Sequence, residues 1–253
     1  MPNRIEDYPP DVMEKIFSQF ENEAAKVLEK MRHSLSMPEG NDFNVLMNLV
    51  AQLAIRNPYI RETINKFQTD VIERISDLAL ATKERWDSIT HRMKEAGEAI
   101  DESISYEEVK NFHDEKRYTI EIANIRNIRL EMTGINAILP TLASRKWTLV
   151  VANDASGYFI GCDRPVTLIW TNPKLQGGFY PPGHGMKSTE VVFPVMKELA
   201  LVGTFEGEDR IIEATRRIVA LLNSRIISFA DKQVFSSRPS FQFMGSNNNI
   251  YGV

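Results

Sequence analysis

Cysteine is almost absent from this 253-residue chain, and its scarcity limits what can hold the fold together. Cys162 has no second thiol to pair with, so an internal disulfide is excluded. A protein without disulfides fits a reducing compartment, and we therefore expect a cytoplasmic location. The chain also has no run of about 18 or more apolar residues, so no segment is predicted to cross a membrane.

Neither sign of charge is in large excess, because 30 basic residues stand against 34 acidic ones and the net charge is −4. This balance gives no general attraction to nucleic acid or to an anionic membrane. Hydrophobic residues make up 43% of the chain, which is enough for a sizeable core. Composition therefore predicts a globular protein and leaves its ligand unknown.

The motifs that would identify a metal or a cofactor are missing as well. Neither HExxH nor CxxC occurs, and the four histidines are dispersed along the chain. No GxGxxG or GxxxxGK loop follows a predicted strand, and no GxSxG turn would present a nucleophilic serine. We therefore predict no metal and no cofactor.

Apolar residues recur every three or four positions through the first half of the chain, which predicts helices. The longest stripe runs from Ile60 to Ile100, and a single straight helix over that range would span roughly 60 Å. This length predicts a long kinked helix or a helical hairpin, bent near Thr82 or Gly97. A later helix is predicted over Tyr118–Leu139, with a short strand at Tyr118–Ile122 as the alternative.

Strand-like runs and turn residues replace the helical pattern after residue 146. A helix over Glu208–Ala230 interrupts them, and the Gly/Pro-rich loop Thr171–Ser188 has the length of a binding loop. Strands are predicted at Trp147–Val151, Tyr158–Cys162, Val166–Trp170, Val191–Pro194, Leu199–Gly203 and Gln233–Ser237.

Together these patterns predict an α+β fold. Its N-terminal half is helix-rich and contains the long helix or helical hairpin, and a small, mainly antiparallel sheet covered by a helix follows. Residues 1–145 are expected to form the helical region, and residues 146–237 the sheet with its packed helix as one domain. Residues 238–253 are predicted to be a mobile tail.

Five segments, taken in order, resemble DUF4238, a family of mostly bacterial proteins without an assigned function. The segments are Phe20–Leu28, Ala54–Pro58, Phe159–Val166, Thr189–Pro194, and Leu222–Arg225 followed by Ala230–Ser236. The chain departs from the family pattern at Cys162, where serine is usual. It also lacks the family's His-Tyr-Val-Pro-like N-terminal segment, and its first histidine is His33.

Polar residues in these segments are the candidates for a functional site. We predict Asp163 and Glu21 as catalytic carboxylates, and Arg56, Arg164 and Asn223 as substrate-binding residues. The alternative is structural: Asp163 would accept backbone N–H groups in a turn, and Arg56 would pair with Glu21 or Asp163. Asn223 would then tie the last helix to the sheet.

Two functions are consistent with these features. A hydrolase or nuclease would use the polar residues around Asp163, under the Thr171–Ser188 loop. A non-catalytic helical interaction protein would instead use the stripe at Ile60–Ile100 to bind a partner or to form a homo-oligomer.

Overall fold

A computed structural model of the chain describes residues 10–101 and 103–252, and their secondary structure confirms the α+β prediction. A helix-rich first half precedes the sheet. The helices are α1 (Pro10–Ser34), α2 (Gly40–Ile55), α3 (Pro58–Ala79), α4 (Lys83–Glu95), α5 (Tyr106–Asp114), α6 (Asn124–Ala143) and α7 (Arg216–Phe229).

The main sheet has five strands in the order β3-β4-β5-β1-β6. All pairings are antiparallel except that of β1 with β6, which is parallel. Two short pairs stand apart from it, β2 with β7 and β8 with β9. The strands are β1 (Lys146–Val151), β2 (Gly161–Cys162), β3 (Thr167–Trp170), β4 (Thr189–Met196), β5 (Leu199–Thr204), β6 (Arg210–Glu213), β7 (Val234–Phe235), β8 (Gln242–Met244) and β9 (Ile250–Gly252).

The chain divides into two compact units that differ from the division expected from the sequence. One unit holds the described residues up to Tyr59 together with those from Arg129 onward. The other is Ile60–Ile128 and contains α4, α5 and most of α3. We refer to them as the sheet unit and the helical unit.

Strand alternation gives the sheet unit two apolar layers, one on each face of the sheet. Leu149 and Leu201 join the core that contains Met31 of α1 and Val50 of α2. The intervening residues of the same strands point the other way, as Val150 does, and pack with Val219 and Leu222 of α7. The first two helices therefore share a core with the sheet.

The long apolar stripe is divided between α3 and α4, and the predicted break near Thr82 is confirmed. Thr82 is the N-cap of α4, where its hydroxyl accepts a hydrogen bond from the Arg85 backbone N–H at 3.3 Å. This cap satisfies one of the N–H groups that have no partner inside the new helix.

Two helix predictions began too early. The helix predicted over Tyr118–Leu139 starts at Asn124, and Tyr118 lies in irregular backbone, neither helix nor strand. The helix predicted over Glu208–Ala230 starts at Arg216, and Arg210–Glu213 form β6 instead. Pairing of β6 along β1 overrode the helical periodicity, and the hydroxyl of Thr215 caps α7 by accepting the Ile218 N–H at 3.3 Å.

A β-hairpin occupies the segment for which a mobile tail was predicted. Strands β8 and β9 pair there, and α7 binds β8 through two side chains. Asn223 donates to the Gln242 carbonyl at 2.9 Å, and Ser224 donates to the Met244 carbonyl at 2.9 Å. Ser246 and the three asparagines that follow it therefore form the turn of this hairpin.

A buried guanidinium ties the strand ends of the sheet to the Gly/Pro-rich loop. Arg145 is 3% exposed and donates to the Thr189 carbonyl at 3.0 Å and to the Gly203 carbonyl at 3.1 Å. Its other terminal nitrogen donates to the His184 carbonyl at 2.7 Å and to the Thr189 hydroxyl at 2.8 Å. Burial lowers the pKa of Arg145 to about 10, against the opposing influence of Glu206.

Gly203 is required beside this guanidinium because Trp147 packs against its backbone. The two residues are opposite each other in the pairing of β1 with β5. A Cβ atom at Gly203 would lie 2.7 Å from the indole ring, which is closer than real contacts allow. The indole N–H donates to the Leu142 carbonyl at 3.1 Å, so the ring cannot simply rotate away without losing a bond.

Replacement of Arg145 by lysine is expected to lower the free energy of unfolding by about 3 kcal/mol, because one ammonium cannot reproduce the forked pattern of bonds. Chemical denaturation measures this loss. The matched control is Lys146→Arg on the neighbouring exposed position, which is expected to change stability by less than about 0.5 kcal/mol. Equal stability of Arg145→Lys and the wild type would contradict the role assigned to the guanidinium.

Candidate functional site

Asp163 holds the turn that leads into β7. Its carboxylate accepts hydrogen bonds from the backbone N–H groups of Asp231 at 2.9 Å, Lys232 at 2.7 Å and Gln233 at 3.3 Å. Burial of the carboxyl group raises its pKa, but the N–H donors outweigh this and hold the pKa below its ordinary value. The carboxylate is thus poorly suited to accept a proton near neutral pH.

Arg56 pairs with a carboxylate other than the two that the sequence suggested. Its Nε atom lies 3.7 Å from a carboxylate oxygen of Glu131, and a terminal nitrogen donates to the Gln52 side chain at 3.2 Å. The guanidinium also lies over the ring of Phe17, 3.6 Å from its centroid. Glu131 is only 4% exposed, so this ion pair lies mostly inside the sheet unit. It connects the C-terminal end of α2 to α6.

Arg164 stacks on aromatic rings. Its guanidinium carbon lies 3.7 Å from the ring centroid of Tyr59 and 5.6 Å from that of Phe229. Such cation–π contacts are worth about 0.5–1 kcal/mol at exposed sites, so they stabilise the packing of these segments.

Asn223 is fully buried, and every bond of its amide serves a backbone group. Its oxygen accepts from the Ile160 N–H at 3.1 Å. Its nitrogen donates to the carbonyls of Tyr158 at 3.0 Å and Gln242 at 2.9 Å. The side chain thereby joins α7 to the segment before β2 and to the terminal hairpin.

Glu21 is exposed on α1, one helical turn after the ring of Phe17 that Arg56 covers. Within residues 10–101 and 103–252, no hydrogen bond or ion pair joins any two of Glu21, Arg56, Asp163, Arg164 and Asn223. Arg56, Asp163, Arg164 and Asn223 each contact a group that belongs to the fold. The catalytic and substrate-binding roles of all five residues stay predictions.

Two clefts of the sheet unit are lined by none of these five residues. A polar cleft of about 340 Å³ is formed by the start of α7, the terminal hairpin and the segment between β7 and β8. Arg238 lies in it and is bound to Asp154 at 2.8 Å while it covers the ring of Tyr158. Sequence reasoning missed this cleft because the hairpin that forms one wall was expected to be a tail.

An apolar groove of about 440 Å³ lies where the Gly/Pro-rich loop meets α7 and β3. Arg225 lines it and forms an ion pair with Glu190, and burial lowers the pKa of Arg225. Of the residues predicted for the site under this loop, none lines the groove.

Sequence reasoning also gave no indication that the pKa of His184, in the same loop, is strongly lowered. Burial and the nearby Arg145 charge lower its pKa to about 4, so the imidazole is neutral at physiological pH. A single histidine in a glycine-rich segment carries no sequence signal of such an environment.

Neither a metal centre nor a membrane span can be identified in the described residues. No group of three or more His, Cys, Asp or Glu side chains there is placed to hold a metal ion. None of the helices in that part of the chain has both the length and the apolar character needed to cross a bilayer.

The most distinctive surface of the helical unit is an apolar stripe on α3. Phe67, Ile75 and Leu78 are 67%, 60% and 61% exposed, and Val71 lies between them. Their spacing of three and four residues places them on one face of the helix. The C-terminal end of this stripe continues into a groove of about 450 Å³ shared with α4. We call these four residues the α3 stripe.

A comparison with family models matches residues 3–240 to a family described as proteins of unknown function, DUF4238. The chain belongs to the DUF4238 family. The match includes both compact units and stops before the terminal hairpin, so that β8 and β9 lie outside it. No curated protein and no solved structure shows significant similarity to the chain.

The structural role of Asp163 predicts a specific pH dependence. Because its folded-state pKa is depressed, its contribution to stability is present above the ordinary carboxyl pKa, about 4, and is lost as pH falls through the folded value. The Asp163→Asn variant should therefore be less stable than the wild type at pH 7, with the difference shrinking towards about pH 3. Denaturant midpoints at the two pH values measure this, with Asp87→Asn as the exposed control. A difference in stability that stays constant with pH would contradict the stabilising role of the Asp163 carboxylate.

Asn223→Ala is expected to lower the free energy of unfolding by about 2–4 kcal/mol, since it removes the partner of three backbone groups that are buried or partly buried. The control is Asn48→Ala, whose amide donates only to the Asn44 carbonyl one turn earlier in its own helix. Urea denaturation compares the two variants. Equal effects would show that Asn223 does not tie α7 to its neighbours.

Proposed function

We propose that this protein is an interaction protein that self-associates through the α3 stripe. The observation that carries this proposal is the exposure of three large apolar side chains, Phe67, Ile75 and Leu78, in one line along a helix. Burial of an apolar side chain contributes roughly 1.5–3 kcal/mol, and a contiguous exposed line of them is typical of a binding surface.

Charges beside the stripe favour a second copy of this chain as the partner. Asp70 and Arg74 flank the stripe on one side, one helical turn apart, and both are exposed. A two-fold axis near Ile72 would place Asp70 of one copy opposite Arg74 of the other, twice in one dimer. The same arrangement brings Phe67 towards Leu78 of the second copy. The apolar contacts and the charged pairs therefore form in the same alignment of the two helices.

A hydrolase or nuclease function around Asp163 has less support. Asp163 is occupied by backbone N–H groups, and Arg56 by Glu131. Both N–H donors of the Asn223 amide, and one acceptor position of its oxygen, already serve backbone groups. These contacts favour a structural role for the polar residues of the family-like segments.

Charge reversal at the flank of the stripe tests the antiparallel pairing. Asp70→Arg or Arg74→Asp alone would place like charges opposite each other at two positions, which is expected to raise the dimer dissociation constant about tenfold. The double variant restores opposite charges and should return the constant towards the wild-type value. Sedimentation equilibrium measures all four proteins at one ionic strength.

A matched pair of apolar variants separates the stripe from general surface hydrophobicity. Phe67→Ser should give a monomer, whereas Phe179→Ser should leave association unchanged, although Phe179 is 93% exposed. A monomeric wild type, or a double charge variant no better than the single ones, would overturn the proposal.

A further inference from the structure

Three side chains of the helical unit form a continuous line of short contacts. The carboxylate of Asp77 on α3 lies 2.6 Å from Nε2 of His113 on α5. The other ring nitrogen of His113, Nδ1, lies 2.7 Å from the hydroxyl of Tyr118. His113 is 8% exposed, while Tyr118 is half-buried and its ring stacks on the imidazole at 5.5 Å between centroids.

The chemistry of the end groups sets the direction of these hydrogen bonds. An ionised carboxylate can only accept, so Nε2 of His113 carries the proton that points to Asp77. In the neutral imidazole Nδ1 is then the acceptor, and the Tyr118 hydroxyl donates to it. The phenol therefore faces a base whose tautomer and orientation are held by a carboxylate, which is the arrangement that activates a hydroxyl nucleophile.

We propose that Tyr118 is a base-activated nucleophile towards uncharged carboxylic esters. The Tyr118 oxygen attacks the ester carbonyl carbon while its proton passes to Nδ1 of His113, and a new carbon–oxygen bond forms. The bond to the leaving oxygen then breaks, and that oxygen takes the proton from His113. Water attacks the resulting acyl-tyrosine with His113 as base, which releases the acid and restores the phenol.

The surroundings of Tyr118 favour an uncharged substrate with an apolar part. Lys116 and Arg117 directly precede Tyr118, and each forms an ion pair with a glutamate. Because the carboxylate of Asp77 adds a further negative charge, an anionic substrate such as a phosphate ester gains little. Phe112 stacks on Tyr118 at 5.8 Å between centroids and is 45% exposed, which leaves an apolar surface beside the phenol ring.

Tyr106 provides an internal control. It belongs to the same unit and is half-buried like Tyr118, but its hydroxyl donates to the Leu80 carbonyl at 2.9 Å. A carbonyl oxygen cannot take the phenol proton, so Tyr106 reports the reactivity of a tyrosine without a base. A purely architectural role for the Asp77–His113–Tyr118 line would make the two tyrosines equally reactive.

The experiment treats the full chain with p-nitrophenyl acetate, quenches samples in acid at early times, before the acyl-tyrosine is hydrolysed, and measures the acetylation of each tyrosine by peptide mass spectrometry. Tyr118 is expected to react at least about tenfold faster than Tyr106, since general-base assistance contributes about 100-fold or more in favourable sites. Equal rates, or faster reaction at Tyr106, would overturn the proposal.

Variants of the base separate chemistry from architecture. In His113→Gln the amide can accept the Tyr118 hydrogen bond but cannot take its proton, so the rate ratio should fall to about one. An unchanged ratio would overturn the proposal. If circular dichroism shows that this variant loses its fold, Asp77→Asn on the exposed end of the line replaces it, with a fall in the ratio expected and an unchanged ratio contradictory. This proposal does not depend on self-association, and the rate ratio should be the same below and above the protein concentration at which the chain dimerises.

Discussion

The buried guanidinium of Arg145 is the interaction on which the sheet unit most depends. It comes two residues before Trp147, at the point where α6 gives way to β1, and binds backbone groups at the start of β4 and near the end of β5. A buried charge must keep its partners, because an unpaired one is far more costly than an exposed one. One side chain therefore connects the ends of two central strands and anchors the Gly/Pro-rich loop to them.

The same logic explains the polar residues that mark the family-like segments. Asp163 satisfies the N–H groups of a turn, Asn223 joins α7 to two backbone segments, and Arg56 neutralises the buried Glu131. Asn223 and Arg56 thereby satisfy polar groups inside the fold, and Asp163 satisfies the donors of an exposed turn. A set of residues that is shared across a family pattern can thus specify a fold rather than a reaction, and the exposed surface of α3 is then the better place to look for function.

Local pattern was enough to predict the helices of the first half, the break at Thr82 and the main antiparallel strands. It failed where tertiary contacts outweigh periodicity. Residues 210–213 continue a helical stripe in sequence but pair with β1, and Tyr118 ends up bound to His113 instead of starting a helix. Arg145 and His184 gave no signal, because nothing local shows that a charged side chain will be buried among strand ends. The partner of Arg56 was misjudged for the same reason, since Glu131 is distant in sequence.

The distance between spin labels at position 62 of two copies tests most directly whether α3 is the surface that joins them. The label would replace Glu62, with Cys162 changed to alanine so that a single thiol remains. Antiparallel pairing about Ile72 predicts a separation of about 30 Å, from twenty residues of helical rise. Absence of dipolar coupling at concentrations where the protein is dimeric, or a separation near 10 Å as parallel helices would give, would contradict it.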